Sequence, residues 1–98
     1  MRSYINGLPL NERVDGLSVL QALERNELET LTIKSWQGKI TEVYFYKHNR
    51  IFCVIVEGGE VYLLHACKKQ KNKTEKRDSE LVIRRAKEIK KLLTINLI

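Results

Sequence analysis

The sequence predicts a small α+β fold: an antiparallel sheet of three to four strands with helices packed on one face. Two observations carry this expectation. Apolar spacing is helical at both ends of the chain and extended in the middle. The middle runs are rich in β-branched and aromatic residues and are joined by short turns, which describes an antiparallel meander. At 98 residues, the length suits a single domain over 1–98.

The elements follow in order. Residues 3–8 read as a turn of helix that packs Tyr4, Ile5 and Leu8. Asn11 can cap a helix over about 11–25, on which Val14, Leu17, Leu20 or Gln21, and Leu23 or Glu24 keep helical spacing. Gly16 weakens that helix by about 1 kcal/mol relative to Ala, and Asn26 stops it. Thr32–Trp36 is a short strand, followed by a turn at Gln37-Gly38-Lys39. Ile40–Tyr46 is a strand, Lys47-His48-Asn49 a polar turn, and Arg50–Val56 the next strand. Glu57-Gly58-Gly59-Glu60 is a hairpin turn, because two glycines tolerate the positive φ angles that tight hairpins need. Val61–Cys67 completes the meander. A basic loop over 68–74 leads to a long helix with Thr74 as its cap and Glu75 and Asp78 at its positive end. Leu81 or Val82, Ala86, Ile89, and Leu92 or Leu93 mark that helix's apolar face. The apolar tail to Ile98 either extends the helix or adds an edge strand.

Composition narrows the function. The chain is 43% hydrophobic and 31% charged, ordinary for a soluble globular protein. No apolar run of about eighteen residues spans a membrane, and the N-terminus lacks the apolar core of a signal peptide. A cytoplasmic protein without membrane association is expected. Cys53 and Cys67 sit in apolar strand runs and read as buried structural thiols. Two Cys and two His without close pairing predict no zinc site, and no metal or cofactor is expected. The net charge of +6 is segregated. Residues 1–67 carry 7 Lys/Arg against 8 Asp/Glu, whereas residues 68–98 carry 11 against 4. Such asymmetry suits a polyanionic partner, nucleic acid or an acidic protein segment, although a solvated basic helix has the same signature. No helix-turn-helix or zinc-finger spacing supports a DNA reader.

The stretch Asn49-Arg50-Ile51-Phe52-Cys53-Val54-Ile55, then Val61-Tyr62-Leu63-Leu64-His65-Ala66-Cys67-Lys68-Lys69, then Lys71-Asn72-Lys73-Thr74, resembles the HigB-like, phage-derived branch of the RelE/ParE toxin superfamily. That branch reads as an arginine-bearing strand, a turn, an apolar strand ending in a Leu-Leu-His-type segment, a Lys-Lys pair and a Lys-Thr-Pro opening of the last helix. Leu8-Pro9, the helix after it and Gly38–Val43 fit the same order, so the resemblance covers about 4–92. Glu75 replaces the family's proline, and Tyr44 stands where an arginine is frequent. The strand that usually precedes the first helix has no counterpart in this reading.

The resemblance implies a toxin of a toxin–antitoxin pair, an endoribonuclease that cuts mRNA on the ribosome. A cognate antitoxin, often a helix-turn-helix protein, restrains such toxins, and RNA lies across the sheet face opposite the helices. Two other readings stay open: a catalytically decayed relative that only binds RNA or antitoxin, and a different basic module, for example one that binds DNA or a non-ribonuclease toxin that poisons a gyrase-type enzyme as some superfamily members do.

Cutting RNA by its own 2′-hydroxyl needs a proton acceptor, charge stabilisation on the phosphorane and a proton for the leaving 5′-oxygen. Arg50 is the candidate for charge stabilisation, since a guanidinium grips two phosphate oxygens. The resemblance places it facing RNA, and Arg50→Ala is expected to abolish cleavage with little loss of stability; the alternative is a surface strand arginine pairing with a neighbouring strand's glutamate. His65 and His48 are candidates for acid–base work, His65 alternatively a packed, hydrogen-bonded residue. Glu42 is either a general base or an orienting partner of Arg50. Lys47, Lys68, Lys69, Lys71 and Lys73 are candidate phosphate contacts, which Lys76 and Arg77 extend. Strand alternation puts Tyr44 and Tyr46 on one face, where they can stack a base, as can Tyr62. Trp36 reads as core.

Overall fold

A computed structural model of the chain describes residues 2–46, 48–56, 60–68 and 75–93. They form α1 (Arg2–Asn6), α2 (Leu10–Glu24), a 3₁₀ turn (Leu28–Thr30), β1 (Thr32–Gln37), β2 (Ile40–Phe45), β3 (Asn49–Ile55), β4 (Val61–Lys68) and α3 (Lys76–Leu93). The expectations for Lys47, the Gly58-Gly59 turn, Lys69, Lys71, Lys73, the Thr74 cap and the tail 94–98 lie outside the described residues. The strands pair in the order β1-β2-β3-β4, each antiparallel to its neighbour. This is the expected α+β meander with helices against the sheet. No described helix is long and apolar enough to cross a membrane.

The packing of β3 explains how the helices are distributed. Successive strand side chains point to opposite faces. Ile51 and Cys53 join Val43 and Phe45 of β2 beneath Ile5 of α1 and Val19, Leu20 and Leu23 of α2. Phe52 and Val54 join Ile40 and Leu64 beneath Val82 and Ala86 of α3. The expectation of helices on one face therefore holds for α1 and α2, while α3 covers the other face. A strand that is apolar on both sides needs cover on both. Of the residues expected on the inner side of α3, Val82 and Ala86 are fully buried, Ile89 is half-buried and Leu92 is exposed.

Three local features differ from the expectation. Helix α2 begins at Leu10, and its N-cap is Pro9 rather than Asn11. The ring of Pro9 presets an extended-to-helical entry, and its carbonyl accepts the Arg13 N–H at 2.9 Å. Gly16 is more than a weak helix residue. A Cβ there would lie 2.9 Å from Phe45 Cε2 and 3.0 Å from Ile5 Cγ2, so the glycine lets α2 approach the sheet. Strand β2 ends at Phe45, and Tyr46 turns out of it with φ 31°. The Tyr46 N–H donates to Asp15 Oδ2 at 2.8 Å, so an α2 carboxylate, not a strand partner, satisfies that backbone group. Tyr44 and Tyr46 consequently do not share a face by strand alternation.

Candidate functional site

The register of three strands builds a small grid of side chains on the α3 face. Tyr44 pairs with Arg50, and Arg50 with Cys67. Glu42 pairs with Phe52, and Phe52 with His65. Two rows of three residues thus stand side by side across β2, β3 and β4.

At its centre, Arg50 is 0% exposed. Its Nη1 lies 3.0 Å from Glu42 Oε2, and its guanidinium carbon sits 5.1 Å from the Tyr44 ring centroid and 5.7 Å from that of Phe52. A charge taken out of water requires such a counter-ion and such polarisable walls. This corrects the expectation that Arg50 faces RNA on an open surface. The alternative is corrected in part too: Arg50 does pair with a neighbouring strand's glutamate, Glu42, but as a buried rather than a surface residue. Trp36 packs edge-on against Phe52, with ring centroids 5.0 Å apart, in line with its core reading. Lys34 lies 5.4 Å over the other flank of this row, at Tyr44.

His65 occupies the accessible margin. Its Nε2 is 2.8 Å from Oδ1 of Asp78, in the first turn of α3, and both side chains are about one-fifth exposed (17% and 20%). They meet because His65 faces α3 from β4, while an acidic residue in a first helical turn suits the positive end of the helix. His65 lines an open depression with Ser3, Tyr4, Ala66 and Arg85. Arg85 Nη1 donates to the Leu64 carbonyl at 2.6 Å, which anchors the guanidinium at the rim. Asp78 and Arg85 were not singled out as site residues. Their seven-residue spacing puts them on one helical face with Val82, a signal legible only once the inner face of α3 is known.

Cys67 lies between the two pairs, 7% exposed. Burial pushes its thiol up to about 12, Asp78 adds to this, Arg50 opposes it, and Glu42 and Glu75 add further. Burial likewise raises the Cys53 thiol, against a hydrogen bond with Thr41. Both are buried free cysteines, as expected. No zinc spacing is visible in the linear order, yet the fold brings the ligand atoms of His65, Cys67 and Asp78 within 4.8 Å of one another.

A second polar network ties the other face together. Tyr4 O–H donates to Asn49 Oδ1 at 2.6 Å, and Asn49 Nδ2 donates to Glu12 Oε1 at 2.8 Å and to the Tyr46 carbonyl at 3.1 Å. Burial, then the neighbouring Cys67, Glu12 and Asp78, push the Tyr4 hydroxyl up to about 12, so it stays a donor. Lys68 Nζ reaches Glu12 Oε1 at 3.2 Å while its side chain remains half exposed. Lys76 is exposed, 4.0 Å from Glu80. His48 is exposed in the β2–β3 turn, away from the His65–Asp78 pair in the register. Tyr62 donates its hydroxyl to Glu60 at 2.6 Å. The structure thus brings Glu42, Arg50, Tyr44 and His65 onto one face and leaves His48 and Tyr46 outside that group.

A family model described as phage-derived protein, Gp49-like, matches residues 3–87. No curated protein and no solved structure gives a significant match to the chain.

Proposed function

Since the chain belongs to the phage-derived Gp49-like family, we propose that it is the toxin of a toxin–antitoxin pair and that it acts by cutting RNA. The family is toxin-like and falls within the RelE/ParE superfamily, and a toxin of that kind implies an antitoxin partner. The HigB-like branch, cleavage of mRNA on the ribosome, a helix-turn-helix antitoxin and a cytoplasmic setting are the finer parts of the proposal.

One observation supports the chemistry best: the 2.8 Å contact of His65 with Asp78 at the edge of an open depression. A carboxylate bonded to one imidazole nitrogen fixes the tautomer and stabilises the imidazolium. In the proposed reaction His65 takes the 2′-hydroxyl proton and the 2′-oxygen attacks phosphorus. The bond to the 5′-oxygen then breaks and that oxygen takes a proton, from the His65 imidazolium or from solvent, which leaves a 2′,3′-cyclic phosphate and a 5′-hydroxyl end. Arg85 supplies positive charge near the phosphorane. Arg50 and Glu42 support the site from beneath. Lys47, Lys68, Lys69, Lys71 and Lys73 stay proposed phosphate contacts. The burial of Arg50 also favours a second reading, a relative that binds RNA or antitoxin without cutting.

Induced expression separates the two. A cutting toxin halts growth and produces mRNA cleaved at ribosome-occupied codons. Intact mRNA and normal growth in cells that hold the folded protein without antitoxin would overturn the first reading and leave the second.

A further inference from the structure

We propose that His65, Cys67 and Asp78 form a binding site for a zinc-like divalent transition-metal ion. Their ligand atoms all lie within 4.8 Å of one another. Tetrahedral zinc with bonds of about 2.0–2.3 Å needs its ligand atoms within about 4 Å of each other. His65 Nε2 and Asp78 Oδ1 already stand 2.8 Å apart, so an ion entering between them spreads this pair and draws the thiol inward. The separation left to close is thus no more than about one ångström.

The fold makes the arrangement rigid on two sides. His65 and Cys67 are two residues apart on β4 and face the same way, opposite Phe52 and Arg50. Asp78 enters from the first turn of α3, which Val82 and Ala86 pin to the sheet. Nitrogen, sulfur and oxygen donors together select zinc, cobalt or nickel over magnesium or calcium. Three protein ligands leave a fourth position, and the partial exposure of His65 and Asp78 opens it to water.

Charge favours the assignment as well. A thiolate and a carboxylate neutralise the ion, and its charge replaces the thiol proton, which is released to solvent. Cys67 has no part in the proposed RNA chemistry, so nothing else in that proposal uses this buried sulfur. The metal also shares His65 with the RNA site, and bound zinc should therefore slow cleavage. That consequence rests on the proposed function; the metal site itself does not.

Titration of the untagged full chain with cobalt(II) tests the site. The expected result is a saturable visible spectrum of tetrahedral cobalt with a thiolate-to-cobalt band in the near ultraviolet, displaced by zinc. Cys67→Ser should abolish the thiolate band, and Asp78→Asn should weaken binding by at least about tenfold. Asp78→Asn keeps the side-chain shape and serves if Cys67→Ser fails to fold. No saturable spectrum, or one unchanged in either folded variant, overturns the site. Cobalt binding with unimpaired RNA cleavage would instead remove His65 from the cleavage chemistry and leave the metal site standing.

Discussion

Arg50 shows how position decides what a charged residue can do. Its side chain is fully buried and ion-paired with Glu42 at 3.0 Å. Removing one partner of a buried pair leaves the other charge uncompensated, at a cost of about 3–5 kcal/mol. Arg50→Ala should therefore lower unfolding free energy by that amount in denaturant titration, contrary to the sequence expectation of a mild effect. The double variant Arg50→Leu, Glu42→Leu should recover part of the loss, and simple additivity of the two changes would contradict the pairing. Cys67 supplies a pH test. An unfolded thiol ionises near 9, whereas the folded one holds its proton to about 12. Its contribution is complete below about pH 9 and is lost as pH rises toward 12. Melting temperature should fall across that range, less steeply in Cys67→Ala, and an identical pH profile in the variant would contradict the raised thiol.

Among the elements, α2 has the least expected constraint. Helix propensity alone makes Gly16→Ala stabilising by about 1 kcal/mol. The contact of a new Cβ with Phe45 and Ile5 is too close for an ordered core, and overpacking of this kind costs about 1–3 kcal/mol. Gly16→Ala should therefore be net destabilising in thermal unfolding, and a gain in stability would show that α2 does not press on the sheet there. The strands and helices were legible because their periods differ and because Gly, Asn and Pro mark the joints. Their faces were less legible. Ile51-Phe52-Cys53-Val54 has no polar side, so alternation could not say which face stays open, and α3 fills the one expected to bind RNA. Tyr46 was misplaced for a related reason: its backbone bond to Asp15 is a long-range contact without a local signal.

Across the whole molecule, charge and topology converge on β4 and α3. His65 and the basic loop were visible as candidates in the sequence, but their partners were not. Asp78 lies 13 residues from His65, and only the packing of α3 on β4 unites them. Arg50 and Glu42 were singled out correctly as a possible pair, yet their burial depends on Tyr44, Phe52 and the covering helix, none of which a linear motif encodes. The uneven charge makes a separate prediction. RNA affinity should fall steeply with salt, because lysine–phosphate contacts release counterions, and a flat response would remove the lysines from RNA binding. The most direct test of the account is cleavage of ribosome-bound mRNA by the purified chain and by Asp78→Asn and His65→Ala variants shown to be folded. Fragments with 5′-hydroxyl ends are expected from the unaltered chain, with a loss of about 10²–10⁴ in rate for His65→Ala. Cleavage at the full rate by folded His65→Ala would contradict it.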